Sequence, residues 1–269
     1  MARHISLRKD RDMPPITQAG GDQTTHRRGF SFPGWWPLLV QVALGVLAAL
    51  AYFLVRGVTK GALETAQENA DALVEIEAIF GLKREGLIQA GIDQHHSLVT
   101  LANWIYIYGH WPVIIASLVV LFLRAPQRFY ILRNAMFISG AIGLAFFVSL
   151  PVAPPRLGIL ELTDTVTQFS DSYRTLQPPA LTNPYAAFPS LHFGWNMLVG
   201  ITIWQATRNP FARTVAVLMP IAMAWAVVAT ANHYVIDVVG GGIIAGIGLV
   251  LAVYLARTHG TPEWARPPG

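Results

Sequence analysis

The chain has 269 residues, of which 53% are hydrophobic and only 13% are charged. Soluble globular domains carry roughly a quarter charged residues, so this composition excludes an ordinary soluble protein and indicates one embedded in a membrane. The formal net charge is +4 and there is no cysteine. The lack of cysteine excludes disulfide bonds and thiolate metal sites, and it leaves the redox compartment open.

The N-terminal segment, residues 1–34, is polar and basic. It has no short apolar core before a cleavage site, so we do not expect a signal peptide. Burial of its few apolar side chains could not offset the entropy cost of ordering it. We therefore expect a disordered cytoplasmic tail at 1–34, rather than a nucleic-acid-binding arm. Residues 35–257 are expected to form one membrane domain, and 258–269 a second cytoplasmic tail.

Six predominantly apolar stretches predict membrane spans. They lie at about 37–55, 98–123, 135–150, 191–206, 215–230 and 238–256. Between the first two, residues 59–97 mix charged side chains with apolar ones at helical spacing, which predicts one or two amphipathic helices on the bilayer surface. The expected fold is therefore an all-α integral membrane protein with six transmembrane helices.

The positions of the arginine residues predict the orientation. Two short connections between spans carry arginine and no acidic residue, namely Arg124, Arg128 and Arg133 in one and Arg208 and Arg213 in the other. Because basic connections stay in the cytoplasm, both termini are expected there. The segments 59–97 and 151–190 and the turn at His233 then face the exterior of the cell membrane.

The stretch from Asn183 to His192 interrupts the apolar pattern just before the fourth predicted span. Pro189 cannot lie inside a helix and Ser190 is a favoured N-cap, so a helix is predicted to begin here. His192 would lie in its first turn, beside free backbone N–H groups and the positive end of the helix dipole. This environment favours an anion such as phosphate.

Other polar side chains fall on the same predicted side of the membrane. Arg156 follows the third span, and His233 and Asp237 lie between the last two. The i, i+4 spacing puts His233 and Asp237 on one helix face, where the carboxylate can orient one ring nitrogen and leave the other free to attack. A second histidine can transfer protons, and a guanidinium can bind phosphate oxygens. This set suits phosphoryl transfer and requires no metal.

Several polar residues and glycines have a structural interpretation as well. Asn103, Tyr106 and His110 form a stripe on the second span, which could line a headgroup pocket or join helices by hydrogen bonds. The sixth span has small residues every few positions: Gly240, Gly241, Gly242, Gly246 and Gly248. These predict close helix packing rather than a phosphate loop, because no strand and no Lys-Ser/Thr pair accompanies them.

Two motifs resemble those of a known family. The stretches Phe188–His192 and His233–Asp237 resemble the second and third signature motifs of the type-2 phosphatidic acid phosphatase superfamily, and most of all the branch containing inositol phosphorylceramide synthases. The resemblance covers about residues 103–246. It implies six membrane helices, a covalent phosphohistidine and no metal or other cofactor. Carried over by motif, His233 is the nucleophile, Asp237 its orienting partner and His192 the general acid/base.

The chain departs from the phosphatase pattern in three places. Leu191 stands where the family has glycine, Ala226-Val227 replace Ser-Arg, and Ser149 stands at the lysine of the first motif. The inositol phosphorylceramide synthase branch shares these losses. Arg156 is therefore the first candidate for binding phosphate. The other expected phosphate- or substrate-binding residues are Arg174, Ser190, Asn103, Tyr106 and His110.

The resemblance predicts a membrane enzyme that takes a phosphoryl or phospho-headgroup from a lipid. The acceptor is water in a phosphatase or a polar alcohol in a headgroup transferase. The alternative is a non-catalytic lipid-binding or transport protein with the same fold, although few charges in the middle of the spans argue against a solute path. The expected partners are a membrane lipid phosphate and the bilayer, and no nucleic acid.

Overall fold

The structure is a computed structural model that describes residues 32–59, 61–158, 160, 162–169 and 183–266. Arg174 and almost all of the predicted N-terminal tail lie outside the described residues. Within these ranges the regular structure is helical, apart from one isolated β-bridge between Val152 and Ala186. The prediction of an all-helical fold is confirmed for this part of the chain.

Ten α-helices lie in the described ranges, together with two short 3-10 helices at Pro155–Leu157 and Glu263–Ala265. The α-helices are α1 (Trp35–Val58), α2 (Leu63–Ile79), α3 (Glu85–Asp93), α4 (His96–Tyr108), α5 (Trp111–Arg124), α6 (Pro126–Ser149), α7 (Thr165–Phe169), α8 (Leu191–Ala206), α9 (Pro210–Ala229) and α10 (Val235–Thr258). Helix α10 packs against α6 and α8, and α9 packs against α8 and α4.

Several of the described helices are apolar enough to cross a membrane. Four of them, α1, α6, α9 and α10, are long enough to do so alone, and α4 and α5 qualify as one bent pair. These account for five of the six predicted spans. The sixth is α8, whose 16 residues extend about 24 Å, less than the roughly 30 Å hydrocarbon core. The helices indicate a multi-pass membrane protein.

The predicted second span, 98–123, is wrong as one continuous helix. Helix α4 ends at Tyr108 and α5 begins at Trp111, with a bend of 42° between them. Pro112 explains the break, because it has no N–H to donate to the carbonyl of Tyr108 and its ring would clash there. The third predicted span lies within α6 up to Ser149, but the helix begins earlier, at Pro126, and Arg128 and Arg133 belong to it rather than to a connection.

The predicted amphipathic segment forms two helices, α2 and α3. They hold the chain that follows α6: the Asn69 amide donates to the carbonyl of Pro151 (2.8 Å), and the backbone N–H of Ala153 donates to the carbonyl of Ala66 (2.9 Å). Gln89 on α3 bonds both the N–H and the carbonyl of Thr163. These helices therefore support the loop between α6 and α8. Their location on the bilayer surface stays a prediction.

Helix α10 approaches the backbone of its neighbours closely at two glycines. A Cβ atom on Gly241 would lie 2.1 Å from the carbonyl oxygen of Ser190, and one on Gly248 would lie 2.5 Å from that of Ala135. The predicted close packing is confirmed at these two positions. Gly246, on the same helix, has open space where a Cβ would lie.

We expect Gly241→Ala to destabilise the protein by about 1–3 kcal/mol, because the new methyl group would push α10 away from the start of α8. Thermal unfolding of the purified protein in detergent measures this as a lower melting temperature. Gly246→Ala is the matched control and should change stability by no more than about 0.5 kcal/mol. Equal melting temperatures for the two variants would contradict the close contact.

Candidate active site

His233 lies in the tight turn that joins α9 to α10. The N–H groups of Asn232 and His233 both donate to the carbonyl of Val227, at 3.1 and 3.0 Å. Ala231 has a φ of 54°, in the left-handed region. A residue other than glycine keeps such a conformation only where surrounding contacts hold it. The turn therefore presents His233 in a position fixed by the backbone.

Two acceptors hold the imidazole of His233. Its Nδ1 atom lies 2.7 Å from the carbonyl oxygen of Ala187 and 3.3 Å from Oδ2 of Asp237. Since both partners can only accept, Nδ1 carries the proton and the Nε2 lone pair is free. Ala187 is itself fixed, because its N–H donates to the carbonyl of Val152 (3.2 Å). The ring is thus oriented for attack through Nε2.

The expectation that His233 and Asp237 share one helix face is wrong in detail. His233 precedes α10, while Asp237 lies in its first turn and accepts a hydrogen bond from the backbone N–H of Tyr234 (2.7 Å). The carboxylate therefore caps the helix and contacts the ring at the same time. It also shares the orienting role with Ala187, whose carbonyl is the nearer partner of Nδ1.

The surroundings of His233 keep its imidazole neutral. The pKa of His233 is lowered to about 4, mainly by burial. The positive charge of Arg156 also lowers it, and the hydrogen bond to Ala187 acts in the opposite direction. At neutral pH the ring is therefore in its unprotonated form, which is the form that has a nucleophilic lone pair.

His192 lies in the first turn of α8, as the sequence predicts. Ser190 is the N-cap, and its Oγ accepts from the N–H of Phe193 (3.4 Å). The N–H of Ser190 donates to the carbonyl of Asp237 (2.9 Å), which joins the starts of α8 and α10. The rings of His192 and His233 have their centroids 5.8 Å apart. The buried Nε2 of His192 has no partner among the described residues, so it is free to bond a ligand.

Two residues of the predicted polar stripe contact His192. Tyr106 stacks on its ring with a centroid distance of 4.8 Å, and the ring centroid of His110 lies 4.1 Å from that of His192. The Asn196 amide donates to the carbonyl of His192 (2.9 Å) and lies 3.3 Å from Nδ1 of His110. These contacts fix the His192 ring against α4 and the start of α5.

The third residue of the stripe, Asn103, joins α4 to the loop between α6 and α8. Its Nδ2 donates to the carbonyl of Thr165 (2.8 Å), and its Oδ1 accepts from the Thr165 hydroxyl (2.9 Å). The stripe therefore combines the two interpretations open in the sequence. Asn103 makes structural hydrogen bonds, while Tyr106 and His110 pack against a residue of the site.

Arg156 is held at the site by two side chains. Its Nη1 donates to Oδ1 of Asn232 (2.5 Å), and its Nε lies 3.4 Å from Oδ2 of Asp164. Its backbone N–H donates to the carbonyl of Ala231 (3.2 Å), which places it beside the turn that carries His233. No described residue bonds Nη2, so one arm of the guanidinium remains to bind an anion.

Three residues that support the site from behind His233 and Arg156 were not identified from the sequence: Asn232, Glu77 and Glu85. Glu77 Oε1 accepts from the N–H of Ile236 (2.7 Å), and Glu85 Oε1 accepts from that of Val235 (2.9 Å). Asn232 could have been suspected from its place next to His233. The two glutamates could not, because they stand among seven acidic residues in 59–97 with nothing local to distinguish them.

The fold and the site together define a helical membrane protein with two neighbouring histidines, a buried carboxylate and an arginine at one set of helix ends. A family model of the PAP2 superfamily matches residues 71–251, a range that includes all of these side chains. The chain therefore belongs to the PAP2 superfamily, and this membership indicates phosphatase or phosphotransferase activity. Searches of curated proteins and of solved structures each found no match.

Proposed function

We propose that this protein is a membrane lipid phosphatase or phosphotransferase that works through a covalent phosphohistidine on His233. One observation carries the proposal. A neutral, buried imidazole with its Nδ1 held by Ala187 and Asp237 lies beside a second imidazole, His192, whose Nε2 has no described partner. A pair of this kind supplies both a nucleophile and a proton carrier.

In the first step the Nε2 lone pair of His233 attacks phosphorus, and the bond from phosphorus to the leaving oxygen breaks. The electron pair leaves with that oxygen, which takes a proton from Nε2 of His192. The negative charge of the bound phosphate favours the protonated form of His192 that this step needs. The products are a phosphohistidine and the lipid alcohol.

In the second step His192, now neutral, accepts a proton from the incoming acceptor. The acceptor oxygen attacks phosphorus, the bond from phosphorus to Nε2 breaks, and His233 regains its lone pair. Arg156 would bind phosphate oxygens throughout through its free Nη2 arm, and the N–H groups at the start of α8 add positive potential. The scheme uses no metal ion.

The acceptor is water or a polar alcohol. The motif around Leu191 resembles that of the branch that contains inositol phosphorylceramide synthases. This resemblance favours an alcohol as the acceptor. The Leu191 side chain packs against Gly143 on α6, with its Cδ atoms 3.2 Å from where a Cβ of Gly143 would lie. The leucine thus fills space that the glycine of the simple phosphatase motif would leave open.

The proposed topology has six spans, with α4 and α5 counted as one and α8 as the short one. The arginine distribution then puts both termini in the cytoplasm and the site outside it. The site would lie near the headgroup level, where a lipid phosphate can reach it from the bilayer.

Purified protein in mixed vesicles should convert lipid phosphates with excess EDTA present. We would supply phosphatidic acid, or a phospholipid with an alcohol such as inositol or ceramide, and measure free phosphate and new phospholipid separately. Free phosphate alone indicates hydrolysis, and an alcohol-dependent lipid product indicates transfer. If neither forms from any lipid phosphate, the enzyme proposal fails and a lipid-binding protein with this fold is favoured.

A further inference from the structure

Two buried glutamates that the mechanism does not use contact the start of α10. Glu77 on α2 and Glu85 on α3 are both 0% exposed. They accept from the N–H groups of Ile236 and Val235, while Asp237 accepts from that of Tyr234. Three carboxyl groups from three helices therefore bond three consecutive backbone N–H groups directly after His233. The N–H groups of Val235 and Ile236 are thus capped from outside the helix, and that of Tyr234 from within it.

The second oxygens of the two glutamates point to a shared proton. Neither Glu77 Oε2 nor Glu85 Oε2 has a donor among the described residues. The Oε1 atoms of the two side chains bond the adjacent N–H groups of Ile236 and Val235, so the two carboxyl groups lie side by side and can form a hydrogen bond with each other. Two ionised carboxylates cannot form such a bond, because both can only accept. One proton between them satisfies both oxygens, as in other buried carboxyl pairs.

The charges around the pair favour that proton. The pKa of Glu77 is raised to about 8, mainly by burial. The hydrogen bond from the N–H of Ile236 acts in the opposite direction, and the neighbouring Glu85 and Asp237 also raise the pKa. The titratable groups that face the cluster are Asp71 and Glu77 on α2, Glu85 on α3, His233 and Tyr234 in the turn, and Asp237 on α10. All but His233 are acidic, so a further negative charge would be repelled.

We propose that Glu77 and Glu85 are positioning residues that share one proton and clamp the turn carrying His233. Loss of the proton leaves two like charges in one buried place, and α2 and α3 then release Val235 and Ile236. His233 moves away from Ala187 and His192 as a result. The amphipathic helices α2 and α3 thus set the upper pH at which the reaction proceeds. The kinetic part of this inference rests on the proposed function.

Glu77→Gln and Glu77→Ala separate the two roles of the side chain. The amide of glutamine keeps an oxygen for Ile236 and supplies an N–H to Glu85, so it imitates the protonated acid. We expect Glu77→Ala to lower kcat on the order of a hundredfold with little change in KM, since the reacting groups are misplaced. Glu77→Gln should stay within about threefold of the wild type at pH 7.

The pH profile gives the sharper readout. The wild-type rate should fall as the pH rises through about 8, whereas Glu77→Gln should lose that decline. Glu75, exposed on the same helix, is the matched control: Glu75→Gln should keep the wild-type profile. An alkaline decline that is the same in Glu77→Gln and in the wild type would overturn the inference.

A stability measurement tests the clamp without turnover. Because the pKa of Glu77 is raised from 4.5 to about 8 on folding, its stabilising effect is complete below pH 4.5 and is lost as the pH rises toward 8. The wild-type melting temperature in detergent should fall across this window, and that of Glu77→Gln should fall less. If the wild type turns over no lipid phosphate but this difference is seen, the proposed function fails and the clamp stands. If the melting temperatures of the wild type and of Glu77→Gln fall equally as the pH rises, the clamp is refuted whatever the activity.

Discussion

His233→Ala should abolish turnover, with kcat at least about ten-thousandfold below that of the wild type. Alanine removes the Nε2 atom that forms the covalent bond to phosphorus in the proposed mechanism. The wild type should become labelled by a substrate carrying radioactive phosphate, with a bond that is stable to alkali and labile to acid. The variant should not become labelled.

His95→Ala is the matched control for this experiment, because His95 is exposed at the start of α4 and should leave both turnover and labelling unchanged. Wild-type turnover in His233→Ala would exclude a phosphohistidine at this position. The pH profile adds an independent measurement. Since the pKa of His233 is lowered to about 4, the rate should persist at pH 5–6 and fall only as the pH drops toward 4.

His192→Ala should lower the rate on a lipid phosphate by roughly a hundred- to ten-thousandfold. The reason is that an alkoxide leaving group needs a proton that the variant cannot supply. An aryl phosphate has a leaving group that is stable without a proton, so the first step on that substrate should be much less affected. The second step should stay slow, because no base remains to activate the acceptor.

Rapid mixing of His192→Ala with an aryl phosphate should therefore give a burst of about one equivalent of phenol, followed by slow turnover and a labelled enzyme. The wild type should show a smaller burst and less labelled enzyme, because its second step is not slowed. An equal loss on alkyl and aryl phosphates, without labelled enzyme, would contradict the role of His192 as general acid/base and would favour a packing role against Tyr106 and His110.

Much of the candidate site could be predicted because its features are local. Pro189 and Ser190 determine where α8 begins, which puts His192 in the first turn whatever the rest of the chain does. His233 and Asp237 are four residues apart, so any helix start between them brings the two side chains into contact. The apolar stretches likewise identify their own helices, since hydropathy is read over about 20 neighbouring residues.

The break between α4 and α5 shows where that local reasoning stops. Residues 98–123 are predominantly apolar throughout, so the hydropathy pattern gives no sign that the helix breaks near Pro112. Proline inside a membrane helix is often accommodated by neighbouring groups, so its presence alone does not predict a 42° bend. In the structure α4 packs on α9 and α5 packs on α6, so the two helices on either side of the break have different partners.

The contacts that hold the catalytic turn were beyond prediction for a different reason. Glu85 and Glu77 bond backbone groups 150 and 159 residues away. The pattern of 59–97 indicates amphipathic helices, but it contains nothing that says which acidic residues face another part of the protein. The same holds for Asn232, whose bond to Arg156 spans 76 residues.

The sequence by itself determined that this is a helical membrane protein, where α8 begins, and which histidines and which carboxylate belong together. Hydropathy, helix capping and short spacing are properties of neighbouring residues, so they can be read directly from the chain. Only the tertiary structure decided that Ala187 helps to orient His233, that Arg156 is held by Asn232, and that Glu77 and Glu85 cap the helix after His233. Those contacts depend on which distant segments pack together, and packing is determined by the whole fold.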